Sequence, residues 1–475
     1  MAILHSCLIW SSILALTMAQ TPITINLDKK FQTVDGFGFS QAFGRAKEFQ
    51  TASSAMQKQA LDYLFDTTKG AGFSIIRNRI GSGGSGDSIL PTNLGGPTAK
   101  AKYSFDKDDR GQVWFTKQAV SYGVKTIYAD SWSAPGFMKT SGSETKAGYI
   151  CGTKGRNCAS GDWRQAFANF LVQYVQEYAE LGFNITHLGF LNEPDFSPSY
   201  SQMQISTNAQ EAISFIPILY DTVKAAGLDT KLTCCDAMGW GVQRTYTSNL
   251  VSSGAVKHLG VITSHSYTGD ATSPIGGTSL PMWNTEAGPK TSFVTTWHKS
   301  GGENEGMHWA NKIAMAMVNA QLSAYLFWEG FEVKQTQSGS HLVDTFDGKT
   351  ATPSGIFWAF AMWSRHIRPG AVRVGISGAL PGTITGAFQN KDGSVVVVFT
   401  NNGASTQSAK VAISGFSASS AAAWVTSSSA TFATTPATLS GGAVTVSIPA
   451  RSVVTVKFGK QEPDKKPISK TEMAQ

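Results

Sequence analysis

The chain has 475 residues, and 15% of them are charged, whereas a typical soluble protein has about a quarter. With 41% hydrophobic residues, including 27 Phe, 12 Trp and 12 Tyr, it can form a large core, which excludes a disordered polyelectrolyte, a coiled coil and a disulfide- or zinc-stabilised miniprotein. The formal net charge is +7, but the Lys and Arg residues are scattered and do not alternate with aromatic residues, as a nucleic-acid-binding surface requires. We therefore expect one large domain with a smaller one, or about three ordinary domains, and no nucleic-acid partner.

Residues 1–19 have the pattern of a secretory signal. An apolar stretch over residues 3–16 is followed by Thr-Met-Ala, with small residues at the positions that precede a cleavage site after Ala19. The stretch is too short to span a bilayer, and the sequence has no other long apolar run, so we expect no membrane partner. A secreted, extracellular protein is predicted, and the sequon at Asn184 makes that residue the candidate for N-glycosylation.

Removal of the signal also removes one of the five cysteines and leaves an even number, as expected in an oxidising compartment. Cys151 and Cys158 flank a polar, glycine-containing stretch, and we predict a disulfide between them. Cys234 and Cys235 are adjacent and could form a strained vicinal disulfide or stay reduced. We expect two thiols, because vicinal disulfides are rare.

Short β-like runs alternate with helical patterns over residues 33–369. The clearest helix is predicted from Trp163 to Leu181, because apolar residues recur there at the spacing of one buried helix face and Gly182 follows. Eight strand–helix pairs predict an α/β fold, a (β/α)8 TIM barrel, rather than an open doubly wound sheet. The strand candidates are residues 33–40, 73–81, 125–132, 187–194, 231–237, 261–267, 281–288 and 324–330.

The composition changes to Ser, Thr, Ala, Val and Gly after residue 369. Alternating apolar residues, as over 444–448, predict antiparallel strands, and 391–393 has the composition of a hairpin turn. The N-terminal segment 20–32 alternates in the same way, so we expect it to add a strand to this side antiparallel β-sandwich, which covers residues 370–459. The polar residues 460–475 are predicted to be a disordered tail.

Two glutamates end apolar β runs, one in Asn192-Glu193-Pro194 and one in Thr285-Glu286. They fall on the fourth and seventh predicted strands, and the carboxyl ends of all barrel strands meet at one face. Cleavage of a glycosidic bond needs two such carboxyl groups, one to protonate the leaving oxygen and one to attack the anomeric carbon or activate water. The pair therefore predicts a glycoside hydrolase.

The sequence resembles glycoside hydrolase family 30 over residues 24–458, β-domain included. The resemblance implies a retaining mechanism with Glu193 as acid/base and Glu286 as nucleophile. The residues that carry it are Ile76-Arg77, Ser131-Trp132-Ser133-Ala134-Pro135, Asn192-Glu193-Pro194, His265-Ser266-Tyr267, Thr285-Glu286-Ala287 and Trp328.

The same resemblance implies roles for the residues around the two glutamates. Asn192 should bond the 2-hydroxyl of the sugar, whereas Arg77 and Tyr267 should keep Glu286 ionised and oriented. Trp132 and Trp328 should form the walls and floor for the sugar. Electrostatics agrees with these roles, because a nearby Arg lowers the pKa of a carboxyl group and apolar aromatic surroundings raise it.

The segment Asp35-Gly36-Phe37-Gly38-Phe39-Ser40-Gln41-Ala42-Phe43-Gly44-Arg45-Ala46 is similar to the fungal xylanase branch of the family. In that branch an Arg after the first strand recognises a glucuronic acid side group of xylan. The resemblance therefore implies that Arg45 binds this group.

The expected function is a secreted, monomeric hydrolase of β-1,4-xylosidic bonds in plant cell-wall xylan, with glucuronoxylan as the expected substrate. No cofactor is expected, and no catalytic metal, because the sequence has neither HExxH nor CxxC. An endo-β-1,6-glucanase or β-1,6-galactanase remains an alternative, since other branches of the family have the same two glutamates. A non-catalytic carbohydrate-binding protein remains a further alternative, disfavoured by the presence of both glutamates and their supporting residues.

Overall fold

The structure is a computed structural model, and it describes residues 20–83, 86–93, 95–333 and 339–460. The predicted signal over residues 1–19 lies outside the described residues. So does the predicted tail, apart from Lys460, which ends the last strand.

Eight parallel strands form a closed barrel. Each strand pairs in parallel with the next, and the last pairs with both the seventh and the first, which closes the sheet. The predicted TIM barrel and its eight strands are thereby confirmed. In chain order the barrel strands are β2 (Gly36–Ser40), β3 (Ile75–Ile80), β4 (Thr126–Ser131), β5 (His187–Gly189), β6 (Lys231–Ala237), β7 (Val261–His265), β8 (Met282–Glu286) and β9 (Ala324–Val333).

Helices surround the barrel, and the clearest predicted one is present. It covers Arg164–Glu180, and its apolar face is buried from Phe167 to Tyr178, while Ala179 is exposed. Gly182, with φ of 84°, follows its end. The α-helices are α1 (Arg45–Thr51), α2 (Ser54–Phe65), α3 (Gln112–Ser121), α4 (Arg164–Glu180), α5 (Gln210–Ala225), α6 (Trp240–Ser252), α7 (Gly306–Ala314) and α8 (Gly355–Ser364).

The connection from β7 to β8 differs from the predicted alternation. Residues 266–281 are all described, and they contain no helix. The segment includes Pro274, Gly276 and Gly277, which disfavour a helix through the missing amide hydrogen and the backbone freedom of glycine. Residues 266–281 instead form a loop from the C-terminal end of β7 to the N-terminal end of β8.

The barrel has two apolar regions and a short extension. Strands β10 (His341–Thr345) and β11 (Thr352–Pro353) continue the sheet beyond β9, with β10 parallel to β9. A large core fills the space between the barrel and its helices. A small cluster lies among the strands themselves and consists of Ile75, Tyr128, Val261, Trp283, Ala324 and Leu326.

The second domain is a curled sheet that includes the N-terminal strand, as predicted. Strand β1 (Thr21–Thr33) pairs antiparallel with one C-terminal strand and parallel with another, and Ile23 and Ile25 are buried in the core of this domain. The hairpin predicted at 391–393 joins two antiparallel strands. The other strands are β12 (Val372–Ser377), β13 (Thr383–Gln389), β14 (Val395–Asn401), β15 (Gln407–Ile413), β16 (Ala418–Ser427), β17 (Ala430–Thr435), β18 (Thr438–Ser440), β19 (Ala443–Ile448) and β20 (Ser452–Lys460).

The structure contains two disulfides. Cys151 is bonded to Cys158, with Cα atoms 5.5 Å apart, as predicted. Cys234 is bonded to Cys235, so the prediction of two thiols is wrong. That prediction relied on the rarity of vicinal disulfides, which carries no information about the backbone at this position. In the structure the peptide bond between the two residues is cis, and their Cα atoms lie 3.0 Å apart.

Loss of the Cys151–Cys158 disulfide should destabilise the fold only moderately. It closes a short loop, and the chain-entropy relation gives about 2 to 3 kcal/mol for such a loop. We expect Cys158→Ser to lower the free energy of unfolding by no more than this, measured by denaturant titration. Peptide mapping without reduction should recover 151 and 158 cross-linked, and recovery of both as free thiols would contradict the structure.

The structure bears on the predictions of N-glycosylation and of no membrane partner. Asn184 is exposed between α4 and β5, so the sequon is accessible, and glycosylation there stays a prediction. No helix within the described ranges has both the length and the apolar character needed to cross a membrane.

Candidate active site

A cleft of about 500 Å³ opens at the C-terminal ends of the barrel strands. It contains both predicted glutamates and four other residues of the predicted site, Arg45, Trp132, Tyr267 and Trp328. Its lining consists of Phe43, Arg45, Trp132, Glu193, Phe196, Tyr200, Met238, Tyr267, Glu286, Lys290, Trp328 and Glu329.

Glu193 and Glu286 form a close pair at the bottom of the cleft. Glu286 is the last residue of β8, whereas Glu193 lies four residues beyond the end of β5 with φ of 49°. Carboxylate oxygens of the two residues and a ring nitrogen of His265 all lie within 4.8 Å of one another. Both side chains are almost fully buried. The barrel therefore brings the two carboxyl groups together, as the sequence analysis expected.

Each oxygen of Glu286 has its own hydrogen-bond donor. Arg77, fully buried on β3, donates from Nη1 to Oε2, and the Tyr267 hydroxyl donates to Oε1 over 2.8 Å. Burial raises the pKa of Glu286, while His265, Arg77 and Tyr267 act in the opposite direction. Arg77 and Tyr267 thus contact Glu286 as the sequence analysis expected, and they hold its carboxylate in one orientation.

His265 lies between the two glutamates. Its Nδ1 is 3.1 Å from Glu193 Oε1 and 3.9 Å from Glu286 Oε1, and its Nε2 is 3.5 Å from Asp236 Oδ1. Burial lowers the pKa of His265, but Glu286, Asp236 and Glu193 outweigh burial and raise it to about 10. At neutral pH the site therefore holds a second buried cation beside Arg77.

Two further buried carboxyl groups, Asp130 and Asp236, support the site from below. Asp130 accepts a 2.7 Å hydrogen bond from Arg77, and Asp236 accepts one from Thr285. Burial and the charge of Asp236 raise the pKa of Asp130 well above its usual value. Burial also acts to raise the pKa of Asp236, but His265 and Arg77 lower it. Asp130 and Asp236 thus hold Arg77 and Thr285 in place beneath the central pair.

Asn192 and the two tryptophans surround the central pair. Arg77 donates to Asn192 Oδ1 over 2.7 Å, so the amide nitrogen of Asn192 is the group that can donate to a sugar hydroxyl. Trp132 and Trp328 line the cleft with ring centroids 6.2 Å apart, and Phe43 makes a T-shaped contact with Trp132. The cleft thus has the aromatic walls that the resemblance implied.

The sequence analysis did not name four residues of the site, Phe43, Tyr200, Asp130 and Asp236, as site residues. Phe43 follows β2 in a left-handed conformation, with φ of 51°. Tyr200 lies in the irregular loop between β5 and α5, and its hydroxyl donates to Glu193 Oε2 over 3.2 Å. Asp130 and Asp236 lie one residue before the ends of two apolar strands, and this position near a strand end is the signal that could have found them.

Replacing Tyr200 by Phe should slow hydrolysis of a polymeric substrate. The change removes the hydroxyl that contacts Glu193 but keeps the aromatic ring at the wall of the cleft. We expect kcat to fall about threefold to tenfold, which corresponds to the loss of one hydrogen bond of about 1 kcal/mol.

Tyr220→Phe is the matched control, since Tyr220 is half-buried on α5 and its ring packs against His258 rather than facing the cleft. The role of the Tyr200 hydroxyl would be contradicted by equal kcat values in the two variants.

Arg45 lies at the rim of the cleft, one-third exposed. Its guanidinium is paired with three carboxylates: Nη1 with Glu48 and Nη2 with Glu332, both at 2.8 Å, and Nε with Glu329 at 3.6 Å. The predicted position at the cleft is therefore observed. The carboxylates around the guanidinium were not part of the sequence-based prediction.

Two groups of Glu and His side chains are close enough to hold a metal ion, each with its ligand atoms within 4.8 Å. They are Glu193, His265 and Glu286, and Glu329, Glu332 and His341. An arginine contacts each group, Arg77 in the first and Arg45 in the second. A guanidinium stays charged, so an arginine already supplies positive charge beside each group and disfavours a metal ion there.

Comparison with known proteins agrees with this geometry. A model described as O-Glycosyl hydrolase family 30 matches residues 20–273, and one described as Glycosyl hydrolase family 30 beta sandwich domain matches residues 370–456. The catalytic domain of GH30 xylanase C from Talaromyces cellulolyticus is 48% identical, with a TM-score of 0.88, over 92% of this chain and 100% of that chain.

Curated relatives share less of the sequence. The endo-1,6-beta-D-glucanase neg1 of Aspergillus fumigatus is 25% identical over 78% of this chain and 78% of its own length. A putative glucosylceramidase 1 of Caenorhabditis elegans is 27% identical over 80% of this chain and 76% of its own length. The family models match residues in both domains of the structure and more than half of the chain, and the chain therefore belongs to glycoside hydrolase family 30.

Proposed function

We propose that the protein is a retaining xylanase that cleaves β-1,4-xylosidic bonds, with Glu193 as acid/base and Glu286 as nucleophile. The observation that carries this proposal is that one carboxylate oxygen of Glu193 lies within 4.8 Å of one carboxylate oxygen of Glu286. Retaining enzymes hold their carboxyl groups about 5 to 5.5 Å apart, whereas inverting enzymes need about 6.5 to 9.5 Å to admit a water. Xylan as the substrate is supported by the 48% identity to xylanase C.

The first step forms a covalent intermediate. A carboxylate oxygen of Glu286 attacks the anomeric carbon and forms an ester bond while the glycosidic bond breaks. The leaving oxygen takes the proton of Glu193. The contacts of Arg77 and Tyr267 with Glu286 support this role, since both orient the attacking carboxylate.

The second step releases the sugar. Glu193, now a carboxylate, takes a proton from water, and the water oxygen attacks the anomeric carbon while the bond to Glu286 breaks. Both side chains return to their starting protonation states. Asn192, whose amide nitrogen can donate to the 2-hydroxyl, supports the transition states of both steps.

An endo-β-1,6-glucanase is the second candidate. It is favoured by one specific observation, the 25% identity to neg1 over most of both chains. The same pair of glutamates serves either substrate, so the aromatic walls of the cleft, rather than the catalytic carboxyl groups, would decide between them.

A product profile on defined xylan and on β-1,6-glucan tests the proposal. We expect xylo-oligosaccharides from xylan, released first as the β-anomer when followed by NMR. Release of the α-anomer would overturn the retaining mechanism. Products from β-1,6-glucan alone would overturn the substrate and favour the second candidate.

Arg45 is proposed to bind the uronate side group of glucuronoxylan. A guanidinium can meet a carboxylate with two parallel hydrogen bonds, which Lys cannot copy. We expect Arg45→Ala to lose about tenfold in kcat/KM on glucuronoxylan, as for one charge-assisted contact, with little change on unsubstituted xylo-oligosaccharides. Equal losses on both substrates would mean that Arg45 supports the wall of the cleft instead.

We also propose that the enzyme is secreted and monomeric. Its polymeric substrate lies outside cells, and its two disulfides suit an oxidising compartment. Expression in a secreting host should give a mature N-terminus at Gln20. Light scattering should give the mass of one chain.

A further inference from the structure

Two acidic residues and a histidine form a buried group behind Arg45, at the rim of the cleft. His341 Nε2 lies 2.6 Å from Glu329 Oε2 and 2.7 Å from Glu332 Oε2, and the Glu329 and Glu332 side chains are only 4% and 3% exposed. The strands explain the arrangement, because β10 runs parallel to β9 and places His341 opposite Glu329. We call Arg45, Glu48, Glu329, Glu332 and His341 the Arg45 cluster.

The guanidinium of Arg45 is surrounded by acid groups, one of which, Glu329, also lines the cleft. Each of its three nitrogens has a different carboxylate partner, Glu48, Glu332 or Glu329. Glu48 lies at the surface and is one-third exposed, whereas the other two carboxylates are buried. An anion that approaches Arg45 from the cleft therefore also meets the field of these carboxylates.

The acid groups of the Arg45 cluster outnumber its cations. Burial lowers the pKa of His341, but Glu329 and Glu332 raise it to about 9, so His341 is cationic at neutral pH. The Arg45 cluster then contains two cations and three acid groups. Because the buried pairs are poorly screened by solvent, the acid groups remove most of the attraction that Arg45 alone would exert on an anion.

We propose that Glu332 is a specificity-determining residue, whose carboxylate, together with that of Glu329, compensates the charge of Arg45 and weakens the preference of the cleft for uronate-bearing sugars. The inference rests on the proposed function and defines its substrate range. It predicts an enzyme that accepts both substituted and unsubstituted xylan segments, rather than one that requires the uronate.

Glu332→Gln tests the proposal directly. Glutamine has nearly the same shape, and its carbonyl oxygen can still accept a hydrogen bond from Arg45 Nη2, so the substitution removes charge and keeps the contact. The measured quantity is the ratio of kcat/KM for a uronate-substituted xylo-oligosaccharide to that for the same unsubstituted oligosaccharide. We expect the ratio to rise about threefold to tenfold at low salt and the gain to shrink at about 1 M salt.

Two matched variants serve as controls. Glu48→Gln removes a charge that also contacts Arg45 but lies at the surface, so we expect a smaller rise in the ratio. Glu180→Gln removes an exposed charge at the end of α4 and should leave the ratio unchanged. An unchanged ratio in Glu332→Gln at both salt concentrations would overturn the proposal. A lower ratio would also overturn it, since Glu332 would then hold Arg45 in place for the uronate.

A measurement without a cluster substitution keeps the proposal testable if Glu332→Gln does not fold. Binding of the same two oligosaccharides to the Glu286→Gln variant is measured by calorimetry from about 10 mM to about 1 M salt. A compensated Arg45 predicts that the ratio of the two Kd values changes less than about twofold. A steep loss of uronate preference with salt would overturn the proposal. Failure of the proposed function can be told apart from failure of this inference, because the native enzyme would then hydrolyse neither oligosaccharide.

Discussion

Replacing Glu286 by Gln is expected to abolish turnover on every glycoside, whatever its leaving group. The amide cannot attack the anomeric carbon, so the covalent intermediate does not form. We expect kcat/KM to fall by more than about 10³-fold, a loss of over about 4 kcal/mol of transition-state stabilisation. The measurement is steady-state kinetics on xylan and on an aryl xyloside.

The fold should survive this change. The amide oxygen introduced by Glu286→Gln can accept the hydrogen bond from Arg77, and its nitrogen can donate to the Tyr267 hydroxyl oxygen. Asp130 remains paired with Arg77. A thermal melt close to that of the native enzyme is therefore expected, with Glu180→Gln, on the exposed end of α4, as the fully active control. Substantial turnover of the aryl xyloside by Glu286→Gln would show that another group is the nucleophile.

Replacing Glu193 by Gln should have an effect that depends on the leaving group. A general acid contributes about 10²- to 10⁴-fold when the leaving oxygen is strongly basic, as in xylan, so we expect a loss in that range. An aryl xyloside with an acidic phenol leaves without protonation, and its first step should be almost unaffected. The second step lacks its base, so the glycosyl-enzyme accumulates.

A burst of phenol equal to the enzyme concentration should therefore precede slow turnover in Glu193→Gln. Intact-protein mass spectrometry should detect the enzyme with one added sugar. Equal losses on xylan and on the activated aryl xyloside, without a burst, would contradict the acid/base role of Glu193. The same experiment with Tyr200→Phe should show no accumulated intermediate, because Glu193 is still present to activate water.

The local sequence was sufficient for most of the fold. Apolar runs of strand length, the helical spacing of α4 and the alternation of residues 444–448 depend on neighbouring residues alone, and all of them have the predicted secondary structure. The exception is the β7–β8 connection, where prolines and glycines visible in the sequence favour a loop, although the regular alternation suggested a helix. The disulfide at Cys234 and Cys235 was missed for another reason, since the local backbone rather than the residue pattern brings the two sulfurs together.

The sequence by itself determined that two glutamates lie at the face where the barrel strands end, because the rule that strand ends meet at one face needs no coordinates. The structure places Glu286 at the end of β8 but Glu193 four residues beyond β5, which is shorter than the predicted strand 187–194. Only the tertiary structure decided what surrounds them. Arg77, Asp130 and His265 come from three different strands, and the charge balance among them depends on distances that no spacing along the chain contains. The same holds for Arg45: its sequence position placed it near the cleft, but its three carboxylate partners, two of them from β9, set the charge that a substrate meets. Electrostatic interactions act through space and depend on burial, so side chains far apart in sequence determine them together.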